Sequence, residues 1–114
     1  MSDTLLELAA RCEAATGPDR ELDAEVHRVV GGLTVYDVLT PKGDIRDDVP
    51  RYTGSLDSSK SLKPEGWIWF ASDGDEGGPY AFVHEQSDTR PSGVRCATVE
   101  LASVAAALRA RAAQ

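Results

Sequence analysis

Few residues in this sequence carry the usual chemistry of catalysis or metal binding. The 114-residue chain has two cysteines and two histidines, and aromatic residues make up only 6% of it. A structural zinc site needs about four ligands in recognisable pairs, whereas Cys12, Cys96, His27 and His84 are isolated from one another. We therefore expect two free thiols that pack as small hydrophobic groups in a reducing compartment, and no zinc site.

Long apolar runs and basic charge are also scarce. The longest apolar run, Trp67–Ala71, is far shorter than the roughly 20 residues that span a bilayer. The first residues lack the basic and apolar regions of a secretory signal. Twelve basic against nineteen acidic residues give a net charge of −7, which disfavours nucleic acid and anionic lipid as partners. The sequence thus predicts one soluble domain, residues 1–114, in the cytoplasm.

Apolar spacing and capping residues predict four helices. Thr4 and Glu7 have the spacing of a capping box, in which each side chain satisfies a backbone N–H at a helix start. Thr98 is a candidate N-cap for the last helix, ahead of an apolar stripe that includes Leu101 and Val104. The first predicted helix covers about residues 4 to 15, and the second runs from Pro18 until Gly31 and Gly32 end it. The third runs from Ser55 to Pro64, and the fourth begins at Thr98.

Three apolar runs predict strands, namely Leu33–Leu39, Trp67–Ala71 and Tyr80–His84. The last two are separated by a glycine-rich turn, which makes them antiparallel neighbours with large apolar side chains on both faces. We therefore expect their sheet to be covered on both sides or to pair with another subunit. The polar segments 42–50 and 85–97 are predicted to be exposed loops. The predicted class is α+β, a small, mainly antiparallel sheet flanked by about four helices in an αβα sandwich.

Patterns for catalysis and metal binding are weak. Asp73, Asp75 and Glu76 lack the twelve-residue spacing of a calcium loop, and the glycine clusters lack a phosphate-binding spacing. His27 is predicted to be a surface ring on the second helix, and His84 ends a strand. We therefore predict that the protein is not an enzyme and has neither a cofactor nor a metal ion.

One polar cluster is the best candidate for a ligand site. Arg51, Tyr52 and Ser55 lie where a loop meets a helix start, whose free N–H groups can bind an anion. Arginines of the later loop could converge on them, and tryptophan rings could stack on a nucleotide-like ligand. Alternatively, Ser55 caps its helix, Tyr52 packs in the core and the arginines pair with acids. The residues of the predicted ligand site are Arg51, Tyr52, Ser55, Trp67, Trp69, His84, Arg90 and Arg95.

Three short segments carry a family resemblance. They are GPDRELD at 17–23, the positions Pro50, Tyr52, Thr53, Asp57 and Trp67, and the stretch Ser103–Ala112. Together they resemble the phage ABA sandwich domain, a family of small proteins of tailed phages and prophages. The resemblance implies a sheet sandwiched between helices, a bacterial host cytoplasm and no known catalytic residues. The chain departs from the family pattern at Ser58, Ser59 and Lys60, which replace an alanine pair.

Two functions follow as hypotheses. The first is a non-catalytic, phage- or prophage-encoded accessory protein that acts through protein contacts or self-association. Its partner is then a second copy of the chain or a host or phage protein. The alternative is a protein that binds or sequesters a small anionic, nucleotide-like ligand, because a local basic pocket can exist within a negative average charge.

Overall fold

A computed structural model describes residues 2–74, 76–88 and 93–114 of the chain. Within these ranges the chain forms five helices and a three-stranded antiparallel sheet, which confirms the α+β class and the small sheet flanked by helices. The helices are α1 (Ser2–Ala14), α2 (Arg20–Gly31), α3 (Val35–Val38), α4 (Leu56–Lys60) and α5 (Val99–Ala113). The strands are β1 (Ile68–Ser72), β2 (Tyr80–His84) and β3 (Val94–Arg95).

The sheet has the order β1-β2-β3, with both pairs antiparallel. The two aromatic-rich runs pair as predicted, and Phe70 lies opposite Phe82 at the centre of the hairpin. β3 was not predicted and lies within the segment 85–97, which was expected to be loop throughout. Its two residues are too few for an alternating pattern to be visible in the sequence.

Helix α5 is the central element of the core. The predicted Thr98 cap is confirmed, since its side chain accepts a hydrogen bond from the Leu101 N–H at 3.1 Å. Every residue from Leu101 to Leu108 is buried, although the sequence predicted only one inward stripe. The whole circumference is covered because α1 and α4 pack on α5 from one side and the sheet packs on it from the other.

Helices α1 and α2 agree with the predicted spans. The α1 stripe of Leu5, Leu8 and Cys12 is buried, but the helix begins at Ser2, so Thr4 lies inside it and the capping box predicted at Thr4 and Glu7 as the helix start is wrong. At the start of α2 the Asp19 carboxylate accepts a hydrogen bond from the Leu22 N–H at 3.1 Å. Gly32 ends α2 with a positive φ of 64°, a conformation in which a side chain would be strained.

The strand predicted at Leu33–Leu39 is wrong, because the segment forms the short helix α3. The Asp37 carboxylate accepts hydrogen bonds from the Thr34 N–H at 2.8 Å and from the Thr34 hydroxyl at 3.1 Å. This local capping outweighs the strand preference of the valines and tyrosine in the segment. Val35 and Tyr36 project outward and are 50% and 84% exposed.

The segment 42–50 is not the purely exposed loop that was predicted. Val49 is 2% exposed and belongs to a small apolar cluster with Ala24 and Val38, against which Ile45 packs. This cluster is separate from the main core around α5. The loop therefore contributes its own hydrophobic contacts to the outer side of α2.

A buried polar clasp, formed by Arg20, Asp23 and Thr53, ties this loop to α2. One oxygen of the Asp23 carboxylate accepts hydrogen bonds from the Thr53 N–H and hydroxyl, both at 2.8 Å. The Arg20 guanidinium donates to the other carboxylate oxygen at 3.2 Å and to the backbone oxygens of Pro50 and Val49. Two of the segments that carry the family resemblance thus meet in a structural contact.

Candidate functional site

Two of the predicted ligand residues on the α2–α4 side, Tyr52 and Ser55, have structural roles. Ser55 caps α4, and its hydroxyl accepts a hydrogen bond from the Ser58 N–H at 3.3 Å. Tyr52 is 6% exposed, and its hydroxyl lies 2.9 Å from Nδ1 of His27. Burial raises the pKa of the Tyr52 hydroxyl. Arg51 is exposed beside them, and His27 is a half-buried partner rather than the predicted surface ring.

Trp69 lies on the helix-covered side of the sheet. Its indole N–H donates to the Ser103 hydroxyl at 2.8 Å, and the Ser59 hydroxyl donates to the same oxygen at 2.8 Å. The Lys60 ammonium lies 4.9 Å from the centre of the indole ring. Trp69 therefore joins β1 to α4 and α5 through a polar network that the sequence pattern did not reveal.

Trp67 and His84 are brought together at the rim of an open cleft of about 510 Å³ between the sheet and α5. Arg109 also lines the cleft, but its guanidinium pairs with Glu13 on α1. Nδ1 of His84 lies 2.8 Å from the backbone oxygen of Glu85. The His84 ring itself lies 5.8 Å from the Phe82 ring on the other side of the sheet, so the cleft combines the Trp67 ring with a guanidinium whose charge is already partly neutralised.

Arg95 lies on another part of the surface. Its guanidinium donates to the backbone oxygen of Gly78 at 2.9 Å and stacks 5.1 Å from the centre of the Tyr80 ring. Arg90 lies outside the described residues. Of the predicted ligand residues that are described, only Trp67 and His84 line the cleft, while Arg95 lines a different depression beside Tyr80 and Phe82.

The most distinctive surface is the side of the sheet that faces away from α5, which we call the aromatic face. The hairpin register puts β1 and β2 side chains of the same parity on this side. Phe70 stacks on Phe82 with ring centres 5.0 Å apart and planes 16° apart, and Tyr80 lies 5.9 Å from Phe70. The aromatic face consists of Ile68, Phe70, Tyr80, Phe82 and His84.

This face is open at the β1 side. Ile68 and Phe70 are 40% and 42% exposed, whereas Ala81, which faces α5 from β2, has no exposed surface. Exposed apolar groups on a monomer are normally scattered, whereas Ile68 and Phe70 lie side by side next to two further rings. The sequence prediction that both sides of the sheet carry large apolar groups is therefore met, with α5 covering one side only.

No family model, curated protein or solved structure matches this chain. The resemblance to the phage ABA sandwich domain therefore stays a prediction.

Both thiols are held in their protonated form. Burial raises the pKa of Cys12 to about 12, and the nearby Cys96 and Glu13 add to the effect. Burial likewise raises the pKa of Cys96 to about 11. Because the thiolate is the reactive form, neither cysteine has the environment of a nucleophile or redox sensor.

Two further observations concern the described residues only. In 2–74, 76–88 and 93–114, no three side chains of His, Cys, Asp or Glu are grouped so that they could hold a metal ion. None of the helices found in these ranges has the length and apolar character needed to cross a membrane.

Proposed function

We propose that this protein is a non-catalytic contact protein that associates with a second copy of itself through the surface formed by β1 and β2. The observation that carries the proposal is the aromatic face, where Phe70 and Ile68 remain open to water beside two further aromatic rings. We further propose that it acts as an accessory protein of a phage or prophage in the bacterial host cytoplasm, on the strength of the segments 17–23 and 49–67.

Energetic reasoning supports a contact at this surface. Full burial of a large apolar side chain contributes about 1.5–3 kcal/mol, so covering the exposed fraction of Ile68 or Phe70 contributes about 1 kcal/mol each. The polar groups near the face add specificity rather than affinity, because Arg95 is exposed and His84 is only half-buried. The expected association is therefore reversible and depends on protein concentration.

Sedimentation velocity over a concentration series tests this function. The expected mass rises from 12.2 kDa for one chain towards 2 × 12.2 = 24.4 kDa for two chains. Phe70→Asp places a charge on the aromatic face and is expected to keep the protein monomeric. Tyr36→Asp is the matched control, because this aromatic ring is 84% exposed on α3, away from the sheet. A wild-type mass of one chain at every concentration would refute the proposal.

A second function, small-ligand binding, is favoured by the cleft that contains Trp67 and His84. Its volume of about 510 Å³ falls within the range of roughly 300–1,000 Å³ that is usual for ligand pockets. Arg109 is the group that would meet an anionic ligand, in competition with its pairing to Glu13. Tryptophan fluorescence and the melting temperature, each measured with a panel of nucleotides, test this alternative. The variant Trp67→Phe shows whether a change in fluorescence comes from Trp67. An unchanged signal and melting temperature with every nucleotide would rule it out.

A further inference from the structure

The aromatic face carries a histidine, His84, at one end of its row of rings. In the hairpin register His84 lies opposite Ile68, and its ring lies 5.8 Å from the Phe82 ring with the two planes 51° apart. The side chain is half-buried. Histidine is the side chain whose charge ordinarily changes between pH 5 and 8. A surface that is apolar at neutral pH therefore acquires a positive charge on mild acidification.

A hydrogen bond holds the His84 ring in place. Nδ1 lies 2.8 Å from the backbone oxygen of Glu85. Because a carbonyl oxygen only accepts, Nδ1 carries a proton, and the neutral ring has its free lone pair on Nε2. The same Glu85 oxygen accepts a hydrogen bond from the Asp88 N–H at 3.0 Å, so the turn after β2 fixes its position. Protonation of Nε2 keeps the Nδ1 contact, and it changes the charge of the ring rather than its place.

The other two strands add no negative charge to the aromatic side of the sheet. β1, from Ile68 to Ser72, contains no charged residue. The charged residue of β3 is the exposed Arg95, which lies over the Tyr80 ring and is itself positive. Tyr80 is four residues from His84 along β2, which is a separation of roughly 13 Å. A charge on His84 therefore meets no opposite charge from these strands.

The remaining charged groups near the hairpin are solvated or lie on its other side. Glu85 follows β2 and Glu65 precedes β1, and both are exposed, as is Asp88 in the turn. On the opposite side of the sheet, the guanidinium of Arg109 pairs with Glu13, and Lys60 lies over the Trp69 ring. Exposed carboxylates contribute little to the stability of an ion pair, because water and salt screen them.

We propose that protonation of His84 separates two associated copies, so that self-association through the aromatic face is switched by pH. This inference rests on the self-association proposed above and adds its regulation. In the single chain the half-buried ring keeps contact with water when it is charged. A second copy on the face removes that water, and a charge held against apolar side chains without a counter-ion is unfavourable. A two-fold arrangement contains two such rings, so the effect occurs twice in each dimer.

The overall charge has the opposite effect on association. Two chains that each carry −7 repel one another at neutral pH, and acid reduces this repulsion by protonating carboxylates. Net charge alone therefore predicts tighter association as the pH falls, whereas charging of His84 predicts weaker association. Carboxylates ordinarily titrate near about pH 4, so most of them stay ionised over the range in which a histidine becomes charged.

Sedimentation velocity at two pH values tests this regulation. At about pH 5.5 the dissociation constant of the wild-type dimer is expected to be at least about tenfold higher than at about pH 7.5, because two rings become charged. His84→Gln has no charge at either pH and is expected to associate equally at both. His84→Lys is positive at both and is expected to associate weakly at both.

The other histidine of the chain provides the matched control. His27 lies on α2, where its Nδ1 is 2.9 Å from the Tyr52 hydroxyl. His27→Gln removes a titrating ring outside the aromatic face and is expected to keep the pH dependence of the wild-type chain. Circular dichroism at both pH values verifies that each variant is folded.

The outcomes separate this regulation from self-association itself. If the wild-type dimer is equally stable at both pH values, or if the pH effect persists in His84→Gln, His84 is not the switch while self-association stands. Loss of the effect in His27→Gln would also overturn the assignment to His84. If the wild-type chain is monomeric at every concentration at the higher pH, self-association fails and its regulation fails with it.

Discussion

Replacing Asp23 by alanine is expected to be strongly destabilising, because this side chain joins α2 to the loop before α4. Asp23 is 2% exposed, and Thr53 has no exposed surface. The change removes the acceptor of the Thr53 N–H at 2.8 Å, and that N–H then has no access to water. An unsatisfied buried donor costs about 1–3 kcal/mol. The contacts of Asp23 to the Thr53 hydroxyl and to Arg20 are lost as well, so we expect the free energy of unfolding to fall by about 3 kcal/mol in total.

Urea unfolding followed by tryptophan fluorescence measures this loss. For a chain of this size the free energy of unfolding falls by about 1.5 kcal/mol per molar urea. A loss of about 3 kcal/mol in stability therefore lowers the urea concentration at half unfolding by about 2 M. Thr53→Val keeps the backbone hydrogen bond and removes only the hydroxyl, so it is expected to cost about 1–2 kcal/mol. Asp48→Ala is the matched control, since its carboxylate is 69% exposed in a surface ion pair with Arg46.

The order of the midpoints decides whether the reasoning holds. We expect the Asp23 variant to unfold at the lowest urea concentration, the Thr53 variant at an intermediate one, and the Asp48 variant close to the wild-type chain. If the Asp23 variant is no less stable than the Asp48 variant, the clasp does not hold the loop on α2.

Two further predictions concern titratable groups. Because the pKa of Cys96 is about 11 and that of Cys12 is about 12, both thiols should react slowly with iodoacetamide at pH 8. The reaction should become faster as the pH rises, and Cys96 should react before Cys12. Mass spectrometry of the products measures both rates, and rapid labelling of either thiol at pH 8 would contradict the prediction. The hydrogen bonds accepted by Asp37 lower its pKa below 3.8, so the cap of α3 is intact above that pH and is lost as pH falls through the lowered value. NMR chemical shifts of α3 that stay constant through this acid titration would contradict the second prediction.

Much of the fold could be predicted from local patterns. Helices α1, α2, α4 and α5 and the β1–β2 hairpin follow from apolar periodicity and from caps such as Ser55 and Thr98, which act within a few residues. The error at α3 has a local cause as well, because Thr34 and Asp37 have the spacing of a capping box, and the strand preference of the intervening residues obscured it.

The candidate site was less predictable because it depends on tertiary placement. The large apolar groups on both sides of the hairpin were visible in the alternation, and so was the possibility of pairing with another subunit. Which loops meet in space was not visible: Arg95 contacts Tyr80 and does not line the cleft with Trp67, and Tyr52 contacts His27 across 25 residues of sequence. The exposed edge of β1 depends on strand order, which a sequence pattern does not fix.

Hydrogen exchange at low and high protein concentration tests the central claim, that two copies associate through the surface formed by β1 and β2, most directly. A second copy on this surface shields the strand beneath it from water and opposes its local opening, so the amides from Ile68 to Ser72 are expected to exchange more slowly in the dimer. We predict that this protection grows with protein concentration while the amides of α3, which packs on α2, exchange at an unchanged rate. Amides of β1 that exchange equally fast at all concentrations would contradict the account.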